Sequence, residues 1–209
     1  MRSAACRWTV VLGLCLGLSP AGSADEPSAR RLTIHWSDPE RQFPYSIEPL
    51  VAEARALFAP LGIGLDWASA DMVVARDHVQ VVLLALDRSR GKMGEHTLAC
   101  VQEGPGAQPA AWILVPRVRE TLGLPAQRLP NEAPLLSRAL ARVMAHELIH
   151  LIAPRVPHKS GGIMNASLGR DFLLRPRLGL LDGALARAVR IAFESWPSAG
   201  AAWPFPTGA

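Results

Sequence analysis

At 209 residues, with 49% hydrophobic and 19% charged side chains, the chain has the length and apolar content of one globular domain with a sizeable core. Its formal charge of +4 includes Arg2 and Arg7 of an N-terminal leader, so what remains is a small, scattered surface excess and not the basic stripe of a nucleic-acid-binding protein. Cys6 and Cys15 lie in the same leader, which leaves Cys100 alone and excludes an internal disulfide from the rest of the chain.

Residues 1–24 read as an export signal. Arg2 and Arg7 form a basic start, Trp8 to Leu18 an apolar run too short to span a bilayer stably, and Gly22-Ser23-Ala24 a small-residue cleavage site before Asp25. A secreted or periplasmic protein with no stable membrane span after cleavage is the expectation. Residues 25–195 then make one domain, followed by an irregular tail, 196–209, rich in Pro, Gly and Ala.

Arg31 to Trp36 alternates and is rich in β-formers, which predicts the first strand. From Ile47 to Ala59, apolar residues at Ile47, Leu50, Val51, Ala54, Leu57 and Phe58 recur at helical spacing and stop at Pro60. Ile63–Trp67 and Val79–Leu86 are two further strands, the second so uniformly apolar that it belongs inside a sheet. Residues 87–109 are punctuated by Gly and Pro, with Glu95 to Val101 as a short strand; His96 reads as a surface histidine and Cys100 as a small buried apolar residue. Ala111 to Val115 is the last strand, and Leu122 to Pro130 leads to a long helix that starts near Asn131 and Pro134 and stops at Pro154. Its apolar surface comprises Leu135, Leu136, Leu140, Val143, Met144, Ala145, Leu148, Leu151 and Ile152. A final helix covers Gly183 to Phe193, capped by Asp182.

The long helix carries the chemistry. Four residues apart, His146 and His150 project from one face at successive turns, close enough to share an ion, and Glu147 stands beside them without being a ligand. Two neutral imidazoles and a carboxylate in a buried helix are costly unless something pairs them, and zinc does so. A catalytic zinc takes a third protein ligand; His158 is the nearest, with Asp171, Asp182 and Glu194 as acidic alternatives downstream. Zinc so held would make a water acidic at neutral pH, with Glu147 as the general base that takes its proton.

After Pro154 and Pro157, the chain delivers His158, the flexible Lys159-Ser160-Gly161-Gly162 and then Ile163-Met164. Over residues 135–166 this resembles the metzincin clan of zinc metallopeptidases, and in particular its small exported bacterial members with a Gly-Ile-Met segment after the third histidine. Two departures stand out. The third histidine comes eight residues after His150, not six, with Ala153 and Val156 at the usual glycine and histidine places, and no tyrosine follows Met164.

The resemblance implies an α/β (α+β) fold with a twisted, mostly parallel sheet over a central zinc-binding helix and a C-terminal helix after the methionine turn. It also implies one catalytic Zn2+ on His146, His150 and His158, Met164 beneath the imidazoles, and a sheet edge near residues 95–101 to which an extended peptide adds. The expected activity is that of a monomeric metalloendopeptidase acting on a peptide or protein, with no nucleic-acid partner. A zinc hydrolase of another clan or with a non-peptide substrate, and a non-catalytic zinc-stabilised binding protein, are the alternatives.

Overall fold

The computed structural model describes residues 31–69, 78–84, 97–102, 109–125, 127–129, 131–177 and 179–196. The expected leader, His96 and nearly all of the tail lie outside them. Among the described residues, five strands form one sheet: β1 (Arg31–Ser37), β2 (Gly64–Ser69), β3 (Val79–Leu84), β4 (Ala99–Gln102) and β5 (Ala110–Leu114), in the order β2-β1-β3-β5-β4. The β1–β2, β1–β3 and β3–β5 pairs are parallel, and β4 alone runs antiparallel, against β5. The result is a mixed α/β fold with a mostly parallel sheet.

Burial explains that arrangement. In β3, Val79, Val81 and Leu83 are fully buried on one face while Val82 meets Leu114 and Trp112 in a smaller cluster on the other, so the strand is covered on both sides as its composition requires. Between β1 and its parallel neighbour β2 runs helix α1 (Glu48–Phe58), followed by a 3-10 turn, Ala59–Leu61. Gly62 closes that turn at φ +72°, a conformation for which glycine carries no Cβ penalty. Leu50, Ala54, Leu57 and Phe58 bury one face of α1 and bring along one charged residue, Glu53.

Helix α2 (Val115–Thr121) follows β5 directly, taking Val115 out of the strand expected there and filling residues 116–121, for which no element was expected. Pro116 sits in its first turn, where a missing N–H costs nothing, but a single apolar pair, Val115 and Val118, is too short a periodic signal to announce a helix. The long helix α3 (Ala133–Ile152) runs for 20 residues and contacts α1, α2, α4 (Arg170–Leu174), α5 (Gly183–Glu194), β4 and β5. That central position buries it nearly all round from Ser137 to Leu151. Leu135, expected on the apolar surface, is 39% exposed although Leu136 beside it is fully buried, so the first turn of α3 is covered on one side only.

The start of α3 falls where Asn131 and Pro134 were expected to place it, with Pro134 in its first turn. Asn131 is exposed and Glu132 stands at the cap, with its carboxylate taken up by Arg119, the Tyr45 hydroxyl (2.7 Å) and the Leu129 N–H (3.0 Å). At the other end Asp182 caps α5 as expected, its carboxylate accepting the Leu185 N–H at 2.6 Å. No helix among the described residues is long and apolar enough to cross a membrane.

Candidate metal centre

His146 and His150 lie one turn apart on α3, and the chain leaves the helix at Ala153, whose backbone is no longer helical. A turn over Pro154 and Arg155, closed by the Val156 N–H on the Ala153 carbonyl (2.9 Å), reverses the chain and returns His158 over the helix face. The three Nε2 atoms converge: 3.1 Å separates those of His146 and His150, 3.0 Å those of His150 and His158, and 3.2 Å those of His158 and His146. Burial is graded from His146 (5% exposed) through the half-buried His150 to the exposed His158.

Hydrogen bonding at His146 fixes the tautomer. Its Nδ1 lies 2.7 Å from the Ile163 carbonyl, which can only accept, so Nδ1 carries the proton and Nε2 presents a bare lone pair. Burial first, then the Ile163 contact and His158 in opposite directions, leaves His146 below the usual imidazole range. Burial, and next the neighbouring His146 and His158, push His150 down to about 4. Both imidazoles are therefore neutral at pH 7, the form that ligates. Lone pairs directed at one another are unfavourable until a cation accepts them. Tetrahedral zinc with Zn–N of about 2.0–2.1 Å needs nitrogens roughly 3.3 Å apart, close to the triangle observed, so the donor set fits zinc.

Backbone contacts hold the third histidine and the methionine turn together. The Lys159 N–H donates to the Met164 carbonyl at 2.8 Å, and the Ile163 N–H to the Leu180 carbonyl at 2.7 Å. Gly162, at φ +68°, runs so close to the Leu180 carbonyl that a Cβ would stand 3.1 Å from its oxygen. The turn thus supplies both His158 and the carbonyl that orients His146, as outer-shell partners do at metal sites. Met164 is 1% exposed and lies in the main core.

Glu147 is 7% exposed, and burial pushes its carboxyl up to about 7. It borders, with the three histidines, a cavity of about 660 Å³ whose far wall is Thr97 to Val101 and whose floor includes Ala166 and Leu168. Among the described residues β4 is the outermost strand of the sheet, and its approach is fixed by the Leu114 N–H on the Leu98 carbonyl (2.8 Å) and Arg117 on the Thr97 carbonyl (3.0 Å). Cys100, expected to be buried, is half-buried and lines the cavity.

The acidic alternatives for the third ligand are placed elsewhere. Asp182 is engaged as the α5 cap and with Lys159 (3.6 Å), Asp171 is in the first turn of α4, and Glu194 ends α5. Among the described residues the three histidines form the one cluster of metal-ligating side chains. Sequence reading missed Ala166 and Leu168 as cavity residues, since nothing local distinguishes two apolar loop residues that face a cleft from two that face a core.

No family model matches the chain and no curated protein matches it. Among solved structures it is similar to a chain described as the GM1-bound form of the ECX AB5 holotoxin, with a TM-score of 0.42 and 14% identity over 77% of this chain and 80% of that one. A likeness at that level has no bearing on function.

Proposed function

We propose that the chain is a zinc metalloendopeptidase of metzincin type, exported through its N-terminal leader. One observation carries the reading: three imidazole Nε2 atoms meet within 3.2 Å beside a buried glutamate, in a cleft walled by β4. His146, His150 and His158 would hold the ion, and among the described residues no fourth acidic, thiol or imidazole ligand closes the site. Zinc bound there supplies Lewis acidity, polarising a peptide carbonyl and making a water acidic at neutral pH.

This chain's own residues do the rest. Glu147, raised towards neutrality by burial, takes the proton of the attacking water and returns it to the departing amine. The Ile163 carbonyl keeps His146 in the ligating tautomer. Among the described residues β4 is the outermost strand, and its side away from β5 would offer main-chain N–H and C=O groups to an extended peptide, pairing as an added strand with the scissile bond across the cleft. Leu98, Ala99, Ala166 and Leu168 give that cleft an apolar lining.

Metal content of the purified chain, together with cleavage of a mixed peptide library before and after chelation, tests the proposal. One zinc per chain and cleavage that chelation abolishes and zinc restores are expected. Zinc without cleavage of any peptide would replace the peptidase with a zinc-stabilised binding protein, and absence of zinc would remove the centre altogether.

A further inference from the structure

A second cavity, of about 470 Å³, is lined by Glu53 of α1, Arg138 and Arg142 of α3, and Arg175 and Arg177 beyond α4. Its electrostatics are unbalanced. Both oxygens of the Glu53 carboxylate are already engaged, one by Nε and Nη2 of Arg142 (3.2 and 3.0 Å) and the other by Nε of Arg177 (2.8 Å). Arg142 spends Nη1 on the Phe172 carbonyl (2.9 Å), Arg138 reaches the Leu174 carbonyl at 3.4 Å, and Arg175 stacks over the Phe172 ring at 5.1 Å. Four arginines therefore line the cavity with one carboxylate, which two of them already hold, and no other acidic side chain lines it among the described residues. Arg142 is 1% exposed, so its charge is not relieved by water. Burial lowers its pKa first, and Arg138 and Arg177 lower it further against the opposing pull of Glu53.

We propose that this cavity binds a compact oxyanion of the phosphate class. Guanidinium forks match tetrahedral oxyanions by paired N–H donation, and several of them around one cavity offer more donors than a single carboxylate can use. Arg142 and Glu53 form the fixed base, held between α1, α3 and α4, while the exposed Arg138 and Arg175 close over the anion from the rim. Free phosphate and the phosphate of a lipid headgroup present the same chemistry to this site. The inference does not depend on whether the histidine centre is catalytic.

Isothermal titration of the full, zinc-loaded chain with inorganic phosphate, alongside co-sedimentation with phosphatidylcholine vesicles with and without phosphatidic acid, separates the two sources. The paired variant is Arg138→Gln with Arg175→Gln, two exposed positions outside the Glu53 clamp. Saturable binding of one phosphate per chain, weakened at least ten-fold in that variant and accompanied by a rise in thermal midpoint that the variant lacks, is expected. Capture by phosphatidic acid vesicles alone, lost in the same variant, assigns the headgroup as the source. Each single variant is measured as well, so that a folding defect in the pair leaves the test intact. Absence of binding to both probes, or binding that survives both substitutions, including phosphate held at the histidine centre, overturns the proposal.

Discussion

Glu147 and His158 border the same cleft with different chemistry. Glu147 is carried on the buried face of α3 and offers a carboxyl whose proton affinity burial has brought close to neutrality; His158 is exposed and offers a nitrogen at ligand distance from two others. Glu147→Gln should leave metal content unchanged while cleavage falls by about 10²–10⁴-fold, the usual contribution of a positioned base. His158→Ala should cost metal affinity beyond the roughly 10–100-fold that outer-shell changes cause. Metal analysis and peptide turnover on both variants check the contrast, and loss of metal from Glu147→Gln would move Glu147 into the ligand set. Cys100 shows how context alters one residue: the sequence makes it a small apolar filler, and its place on β4 puts it on the cavity wall.

At the scale of elements, α3 is held by charge as well as by its apolar surface. Arg142, one turn before His146, reaches Glu53 on α1 and the Phe172 carbonyl on α4, and so ties the helix that carries His146 and His150 to two neighbours. Removing one partner of such a pair leaves a buried charge uncompensated. Glu53→Ala should destabilise the fold by about 3–5 kcal/mol, read from the midpoint of denaturant unfolding. A loss within a few tenths of a kcal/mol would mean that Arg142 finds another partner. The helix was legible in its periodicity and its bounding prolines, whereas this clamp was not. An arginine between Ala141 and Val143 reads as a break in the stripe until the position of Glu53, 89 residues earlier, is known.

Over the whole molecule, the sheet and the helical layer are joined by contacts between distant parts of the chain. Glu132, 1% exposed, links the start of α3 to Tyr45, 87 residues away, and to Arg119 on α2. Burial alone would raise its pKa, but Arg119, Tyr45 and the Leu129 N–H outweigh it and hold the carboxyl below its ordinary value of 4.5. A group depressed in the folded state adds stability above its unfolded pKa and loses it as the pH falls through the folded one. Stability from Glu132 should thus be intact above about pH 5 and decline below 4.5. Glu132→Gln should cost about 1.5–3 kcal/mol at neutral pH and flatten the acid limb. Unfolding midpoints measured from pH 7 to 3 check this, and parallel acid limbs would remove Glu132 from the account.

What the sequence determined by itself is what short-range periodicity and residue chemistry encode. The strands from Arg31 and Val79, the helix with His146, Glu147 and His150 at fixed angles, its stop at Pro154 and the Asp182 cap all follow from rules that act within a few residues. Tertiary structure alone decided the rest: the delivery of His158 across a prolyl turn to within 3.2 Å of His146, the order β2-β1-β3-β5-β4 that leaves β4 outermost among the described strands, beside the cleft, and the gathering of Glu53 and four arginines around one cavity. Those depend on loop closure and on which faces pack together, and no local run of residues specifies either.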